Sequence, residues 1–283
     1  MFAEQEVAVR EEPPSSIWLR PVRAGKGPAP TFAREDLAAA GVALADEQGL
    51  AAVTMRAVAR ALASAPASLY RYVTTRDELL ELMVDKVHAE MDVASARSGP
   101  GADRRRPVTG LLALARESRR LHLAHPWLLD ATATRRPLGP HGVAYLEQAL
   151  AVLADTPGSA RSKLEAIGVM NAVVASLSRA ELDQAAAGRG ALPQWQQAQH
   201  AYLTALATDG DHPHLVAALA AGQGAAAGQQ AAGQQAAGQR AGGVDGVDGV
   251  GEESAEALFD RLVTRVLAGL LAPEDGGPAA MSD

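Results

Sequence analysis

The side chains with the clearest chemical pattern lie in one stretch, residues 54–76, and they suit contact with DNA better than catalysis. Thr54 is a good helix N-cap, and apolar residues recur behind it at helical spacing. That periodicity lapses before Pro66, which fits the first turn of a second short helix, where its missing N–H is no loss. Leu69 and Val73 share one face of this helix, and small residues, a hydroxyl, two tyrosines and an arginine lie on its open side. Two short helices with a tight turn and such a face suit a DNA major groove.

Two histidine-containing segments have a spacing that could ligate a metal ion. His122 and His125 would share one helix face, but two histidines without an obvious third ligand are more often a hydrated or capping pair. The segment Asp209–His214 resembles a metal-binding loop, yet its glycine and proline are typical of a turn between helices. The sequence has no P-loop, nucleophile elbow, pair of zinc-protease histidines or dinucleotide-binding glycine motif. We therefore expect no metal site, no cofactor and no catalytic residues.

Length and composition bound the class of protein. The chain has 283 residues, enough for two domains with substantial cores, and it has no cysteine for a disulfide or a thiolate metal site. No apolar run approaches the ~18 residues that a membrane span needs. The acidic first residues, Met1–Glu6, lack a signal-peptide pattern, so we expect a cytoplasmic protein with no membrane partner.

Charge is distributed unevenly along the chain. The total of −7 is unfavourable for nucleic-acid binding, but residues 18–76 contain eight basic and four acidic side chains, a net +4 that leaves −11 for the remainder. A basic N-terminal part on an acidic body fits a protein that contacts phosphates with one end only. Residues 1–30 are proline-rich and predict an irregular basic arm. This arm either contacts DNA or is a leader whose Trp18 packs on the following domain, and the sequence leaves both interpretations open.

Four helices are predicted for residues 31–92, and the stretch described above supplies the second and third. Helix 1 runs over 33–48, and Gly41 within it costs helix propensity, so we expect close packing against a neighbouring element. The segment Thr75–Glu78 is a capping box that opens helix 4. The apolar stripe of helix 4 is long enough to join two domains.

The second half of the chain predicts only helices, because no alternating apolar pattern indicates a strand. The predicted helices cover 108–123, 126–133, 142–155, 159–187, 194–207, 215–221 and 254–272. Residues 222–252 repeat Ala-Ala-Gly-Gln-Gln and then Val-Asp-Gly, and they cannot bury enough apolar surface to order, so we expect a mobile insert. The apolar stripe of the 254–272 helix is broader than one core contact needs, which predicts a partner helix from another subunit.

The segment from about Phe32 to Met91 resembles the DNA-binding domain of TetR-type transcriptional regulators. The residues that carry the resemblance lie at fixed spacing: Thr54, Arg56, Ala59, Leu62, Leu69-Tyr70-x-Tyr72-Val73 and Arg76-Asp77-Glu78-Leu79. The turn departs from the family pattern, because Ala63, Ser64 and Ala65 replace the usual glycine, apolar residue and polar cap. Losing the glycine and the cap costs about 1 kcal/mol each.

The resemblance implies an all-α fold. A three-helix helix-turn-helix domain at 31–92 is joined by helix 4 to a helical-bundle regulatory domain at 105–273. The alternative, a helical hairpin inside a core, does not need Tyr70, Arg71 and Tyr72 together. The resemblance also implies a homodimer on a palindromic operator, because one short helix alone cannot give useful affinity, whereas two about one DNA turn (~34–36 Å) apart can. The helices at 159–187 and 254–272 are the expected dimer interface.

Residues at matching positions take implied roles in binding double-stranded DNA. Arg56 reaches a guanine edge or a phosphate, and Pro66 and Ala67 touch thymine methyl groups. Arg71 contacts either a base or a phosphate. Five residues donate to backbone phosphates, contacts that set register but carry little sequence information: Thr54, Ser68, Tyr70, Tyr72 and Arg76. Arg76 stands where the family usually has lysine, which keeps the charge.

In the resembled family the C-terminal domain encloses a small-molecule pocket, which implies an unidentified effector for this chain. The pocket would lie beside the 126–133 helix, where Trp127 and Asn171 would orient an apolar ligand; alternatively, Trp127 is only a core residue. Effector binding would tilt helix 4 and lower DNA affinity by favouring another conformer. Two other classes stay open: a helical ligand-binding or scaffold protein that has lost specific DNA binding, and an all-helical enzyme.

Overall fold

The computed structural model describes residues 16–20, 32–92, 107–133, 137–187, 194–206, 212–218 and 254–272, and the regular structure in these ranges is entirely helical. The helices are α1 (Arg34–Gln48), α2 (Met55–Ala61), α3 (Pro66–Leu69), α4 (Arg76–His88), α5 (Pro107–Ala124), α6 (Trp127–Ala131), α7 (Pro140–Val152), α8 (Ala160–Ala187), α9 (Gln194–Leu206) and α10 (Ala255–Leu270), with a 3₁₀ turn at Leu50–Ala52. A further helical stretch covers 213–218. The predicted all-α class is confirmed.

Several predictions fall on residues outside these ranges: the repeats at 222–252, most of the arm at 1–30, and the first part of the Asp209–His214 segment. Within the ranges, most predicted helix ends lie within two residues of the observed ones. The prediction of 142–155 was wrong at its C-terminal end, because the helix ends at Val152; Pro140 occupies the first turn, two residues before the predicted start. None of the described helices combines the length and apolar character that a membrane crossing requires.

The described residues divide into two compact units, one drawn from 1–179 and 263–283 and the other from 180–262. The first unit contains α1–α7, the larger part of α8 and the C-terminal half of α10. The second contains α9, the last turns of α8 and the first half of α10, where Phe259 is buried. The sites described below lie within the first unit.

The N-terminal domain, residues 32–92, is built on the packing of α1 against α4. Leu37, Leu79 and Met83 are fully buried in its core. Gly41 of α1 is where the two helices meet most closely, because a Cβ at this position would lie 2.6 Å from Met83 Sδ. The expected close packing at Gly41 is therefore confirmed, and it explains a glycine inside a helix despite its cost in propensity.

Two threonines cap helices in this domain as the sequence predicts. Thr54 and Thr75 each accept, through Oγ1, the N–H of the residue three positions on, at 3.1 Å in both cases. The reciprocal half of the predicted capping box is not formed at Thr75. Instead, the Glu78 carboxylate accepts from the Thr74 N–H and from the guanidinium of Arg20.

The described part of the arm, residues 16–20, folds against the N-terminal domain. Ile17 is buried, Trp18 is half-buried, and Arg34 donates to the carbonyl oxygens of Ile17 and Arg20 at 2.8 and 3.0 Å. Arg20 makes a two-pronged ion pair with Glu78, at 2.9 and 2.6 Å. Burial alone would raise the pKa of Glu78, but its hydrogen bonds lower it overall. Packing of Trp18 on the domain, one of the two interpretations of the arm, is the arrangement observed here.

The turn between α2 and α3 keeps the hydrogen bonds of a glycine-terminated helix although it has no glycine. The Ser64 N–H donates to Ala59 O at 2.8 Å and the Ala63 N–H to Arg60 O at 3.0 Å, which is the Schellman pattern. Ala63 sits in the left-handed position of that pattern, with φ 48°. A Cβ in this conformation is strained by about 1–2 kcal/mol, a cost that glycine avoids.

Replacing Ala63 by glycine should therefore stabilise the domain. We expect Ala63→Gly to raise the free energy of unfolding by about 1 kcal/mol, measured by urea denaturation, after part of the gain is offset by the more flexible unfolded chain. The matched control is Ala57→Gly within α2, which should lower stability by about 1 kcal/mol. Equal losses for both variants would contradict a left-handed strain at Ala63.

Candidate nucleic-acid interface and adjoining cavity

The second short helix presents an open face to solvent. Pro66 and Ala67 are exposed in its first turn, and Tyr70 and Arg71 are exposed just after its end. Arg56, in the first turn of α2, is exposed as well. Leu69 and Val73, on the opposite side, are fully buried. The face therefore combines two cations, a phenol and a small apolar pair on a backbone that the core holds in place.

Thr54 and Ser68 differ in how free their hydroxyls are. Thr54 is exposed, and its capping bond uses a lone pair, so its O–H can still donate to a phosphate. Ser68 is half-buried, donates to Ala65 O at 2.7 Å and contacts the Ser64 hydroxyl at 2.6 Å. Ser64, a residue with no predicted role, joins the turn to α3 through this contact, where the family's cap is absent.

Tyr72 and Arg76 do not have the open positions expected of phosphate donors. Tyr72 is 4% exposed, and its hydroxyl accepts the Phe32 N–H at 3.3 Å. Arg76 is exposed, but its guanidinium donates to Val53 O and Leu50 O, each at 2.9 Å, which ties the 3₁₀ turn to the start of α4. In this conformation both side chains position the motif rather than lie free at its surface, and their contacts with phosphates stay a prediction.

A cavity of about 430 Å³ borders the C-terminal end of α4, where His88 and Met91 line it. Helices α4, α5, α6, α7 and α8 contribute its wall. Apolar lining residues include Met91, Leu121, Leu128, Leu129 and Leu138, and polar ones are His88, Ser118, His122, Thr132, Tyr145, Asn171, Ser176 and Arg179. Its volume lies within the roughly 300–1,000 Å³ of small-molecule pockets.

Of the two residues predicted for the ligand pocket, the cavity contains Asn171 but not Trp127. Asn171 Oδ1 accepts the Tyr145 hydroxyl at 2.6 Å. Trp127 is buried in the core, and its Nε1 donates to Asp46 Oδ1 at 2.7 Å. His125 contacts the same carboxylate oxygen at 2.8 Å. Trp127 is thus a core residue that joins α6 to α1, which was the alternative interpretation, and the described wall of the cavity corrects the prediction.

The two histidines of the predicted pair, His122 and His125, contact different partners. The ring of His125 lies between Asp46 and Glu90, 2.8 and 3.2 Å from their oxygens, whereas His122 faces the cavity and contacts Ser178 Oγ at 3.3 Å. The described residues bring no three acidic or histidine side chains together in a way that would hold a metal ion.

Two histidines of the cavity wall are disfavoured as cations. Burial lowers the pKa of His122 to about 4, and the charges of His88 and Arg179 act in the same direction. Burial also lowers the pKa of His88, more than the nearby Asp85 raises it, and His141 lowers it further. The Nδ1 atom of His88 is buried and has no hydrogen-bond partner among the described residues.

Asp85 connects α4 to the wall of the cavity. Its carboxylate is 4% exposed and accepts the N–H groups of His141 and Gly142, at 2.9 and 3.1 Å, and the ring of His141 at 2.8 Å. It therefore caps the N-terminus of α7, where unpaired N–H groups and the helix dipole favour a negative charge. A Cβ at Gly139 would overlap the Asp85 carboxyl group, so the cap depends on glycine there.

A helix-turn-helix domain with an exposed recognition face, joined to helices that enclose a cavity, defines a regulator with separate DNA and ligand sites. Two family models match the chain: that of bacterial regulatory proteins of the tetR family at residues 37–83, and that of the tetracyclin repressor-like C-terminal domain at 108–232. The two matches fall on the two parts of this class of protein.

Individual proteins agree with those models. The chain is 31% identical over 212 residues to an HTH-type transcriptional regulator of Saccharopolyspora erythraea, covering 73% of this chain and 86% of that one. It is 34% identical over 173 residues to the HTH-type transcriptional repressor DrrR1 of Streptomyces coeruleorubidus, covering 61% of this chain and 62% of the repressor. The crystal structure of the TetR family protein ActR of Streptomyces coelicolor with actinorhodin matches with a TM-score of 0.61 and 25% identity, covering 87% and 99% of the two chains.

The chain therefore belongs to the TetR family of transcriptional regulators, proteins that bind DNA and are typically not enzymes. The resemblance found in the sequence is confirmed.

The Asp85 cap predicts a large and specific loss of stability. We expect Asp85→Ala to lower the free energy of unfolding by about 3 kcal/mol, because it leaves buried N–H groups of α7 unpaired. Asp85→Asn keeps an acceptor oxygen and should lose roughly half as much. The control is Glu165→Ala, which removes an exposed ion pair with Arg161 and should cost less than about 0.5 kcal/mol. A loss for Asp85→Ala no larger than that of the control would contradict the cap.

The lowered pKa of His122 predicts that acid destabilises the protein. The unfolded histidine, with a pKa near 6.5, binds a proton at a pH where the folded one does not, so stability is complete above about pH 6.5 and falls toward pH 4. Between pH 7 and pH 5, His122 should account for about 2 kcal/mol of lost stability. Denaturation at both pH values should give a smaller loss for His122→Gln, and an unchanged loss would refute the assignment.

Proposed function

We propose that this protein is a repressor that binds a palindromic operator as a homodimer and releases it when a small molecule enters the cavity. The observation that carries the DNA half of the proposal is the exposed face of Arg56, Pro66, Ala67, Tyr70 and Arg71. The buried side chains behind it fix its geometry. Repression is supported by DrrR1, a relative named as a repressor.

The residues of the face divide into base contacts and phosphate contacts. Arg71 and Arg56 are exposed and have no hydrogen-bond partner among the described residues, so each is free to donate to a guanine edge or a phosphate. Pro66 and Ala67 are exposed and small, as contact with thymine methyl groups requires. Thr54 and Tyr70 supply hydroxyl donors to phosphates. We assign Ser68, Tyr72 and Arg76 to positioning in the free protein.

Dimerisation through α8 and α10 is part of the proposal. On α8, Leu164 and Val169 are exposed to 45% and 42%, and on α10 Leu270 is exposed to 40%. Phe259, Val263 and Leu267 occupy the buried face of α10, so the rest of its broad apolar stripe is left at the surface for a second copy. Two copies give the paired recognition helices that a palindrome requires.

The ligand response follows from the position of the cavity. His88 and Met91, at and just beyond the end of α4, line it, and the same helix carries Leu79 and Met83 in the core under the recognition face. A ligand that binds one orientation of α4 better than another would change DNA affinity by that difference. ActR, crystallised with (S)-DNPA and with actinorhodin, supports the assignment of this domain to small molecules.

The proposal also includes a location in the cytoplasm and no catalytic activity. A regulator of bacterial operators acts in the cytoplasm, where the DNA is. The described residues bring a serine beside a histidine, with Ser178 Oγ 3.3 Å from His122 Nδ1, but Ser178 is fully buried and a substrate cannot reach it. We therefore propose no enzymatic activity. A helical ligand-binding protein without specific DNA affinity remains the competing function, and the following experiment separates the two.

Footprinting on the DNA upstream of the gene should show a palindromic site, and binding to it should weaken steeply with salt. Arg71→Ala should reduce affinity for this operator by about tenfold or more, because a good arginine–guanine contact contributes about 1–3 kcal/mol. Arg116→Ala is the matched control, since it removes the same charge from an exposed site on α5, outside the recognition face and the proposed dimer helices, and should leave affinity unchanged. Salt-independent, unselective binding, or equal effects of both variants, would favour the competing function.

A further inference from the structure

The described wall of the cavity contains no carboxylate. Its ionisable side chains are His88, His122, Tyr145 and Arg179. Arg179 is 43% exposed and forms an ion pair with Asp130, which does not line the cavity. A ligand that enters therefore meets the cation of Arg179 and no anion in the described wall that would neutralise a positive charge.

The lowered pKa values of His88 and His122 indicate that the cavity disfavours positive charge. Burial lowers the pKa of both, most strongly for His122, because the cavity cannot replace the water that would solvate an imidazolium. The same desolvation cost applies to an ammonium group on a ligand, and nothing described in the wall offsets it. An anionic group also loses water, but Arg179 and the hydrogen-bond donors of the wall compensate it.

The Asn171 side chain is the polar group of the wall that we assign to a ligand. Its oxygen accepts the Tyr145 hydroxyl, which leaves the amide nitrogen without a partner among the described residues. The Nδ1 atom of His88 also has no such partner, but it is fully buried and does not face the cavity. A ligand acceptor that pairs with the Asn171 amide gains affinity and orientation.

We propose that the cavity selects an uncharged or anionic, largely apolar molecule whose oxygen acceptor binds the Asn171 amide, and that it rejects cations. Apolar residues such as Met91, Leu121 and Leu128 contact the body of the ligand. This inference rests on the proposed function in one respect, that the cavity is the effector site.

Three probes built on one ring system test the selectivity on the intact protein: 9-anthracenemethanol, anthracene-9-carboxylate and 9-(aminomethyl)anthracene. They match in size and differ in charge, and fluorescence titration at pH 7.5 gives their dissociation constants. The alcohol and the carboxylate should bind, and the ammonium probe should bind at least about tenfold more weakly. Equal or tighter binding of the ammonium probe, or binding of none of the three, would overturn the proposal.

Two variants test whether the selectivity among the probes arises in the cavity. Asn171→Asp keeps the shape of the side chain but replaces the amide donor with an acid. It should weaken the binding of the carboxylate probe by about tenfold or more relative to the binding of the ammonium probe. Val143→Ala, an exposed change on α7 at a residue that does not line the cavity, should leave all three affinities unchanged. If Asn171→Asp changes nothing, or both variants act alike, the probes bind elsewhere and the proposal fails.

Operator binding distinguishes this inference from the proposed function. Probes that bind in the expected order and also release the operator support both. Binding in the expected order without release supports the selectivity of the cavity and contradicts the ligand response. Failure of operator binding itself, with probe selectivity intact, contradicts only the DNA-binding half of the proposed function.

Discussion

The buried carboxylate of Asp85 is the interaction on which the arrangement of this protein depends. It sits on α4, the helix whose other faces carry the core of the N-terminal domain, and it holds the first turn of α7 through two N–H groups and the ring of His141. A buried charge is tolerated only where its hydrogen-bonding capacity is filled, so the cap fixes the geometry of both helices at once. Movement of α7 relative to α4 would break it.

In the proposed ligand response, this cap is the contact that links the cavity to the helix beneath the recognition face. His88 lies one turn beyond Asp85 on α4, and Leu138 immediately precedes the segment that Asp85 caps; both line the cavity. A molecule bound between His88 and Leu138 would contact both elements that the Asp85 hydrogen bonds join, α4 and the segment that leads into α7. A second junction, in which Asp46 of α1 accepts from Trp127 and contacts His125, joins α1 to the residues around α6. The N-terminal domain is thus held to the cavity wall by polar contacts at two places, buried at Asp85 and partly exposed at Asp46, rather than by apolar contact alone.

Local features of this fold could be predicted from the sequence, and features set by distant partners could not. The caps at Thr54 and Thr75, the proline start of α3 and the close approach at Gly41 follow from residue types within one or two turns, and each is observed. Trp127, a pocket candidate by type, proved to be core because Asp46, far away in sequence, receives its N–H. The cavity itself comes from five helices, and no short pattern in the sequence encodes the groups that face it.

The difference between local and distant contacts also decides how many basic side chains of the N-terminal domain are available to DNA. A count of basic residues treats every arginine as available to phosphates, yet Arg20, Arg34 and Arg76 are engaged in hydrogen bonds within the protein. Arg56, Arg60 and Arg71 are exposed and have no hydrogen-bond partner among the described residues. Three cations on one short motif release few counterions and bind DNA weakly, and a symmetric pair doubles them on a single duplex. Among the described residues, the charge that remains once internal hydrogen bonds are subtracted is small, which supports the proposed dimer as the form that binds DNA tightly.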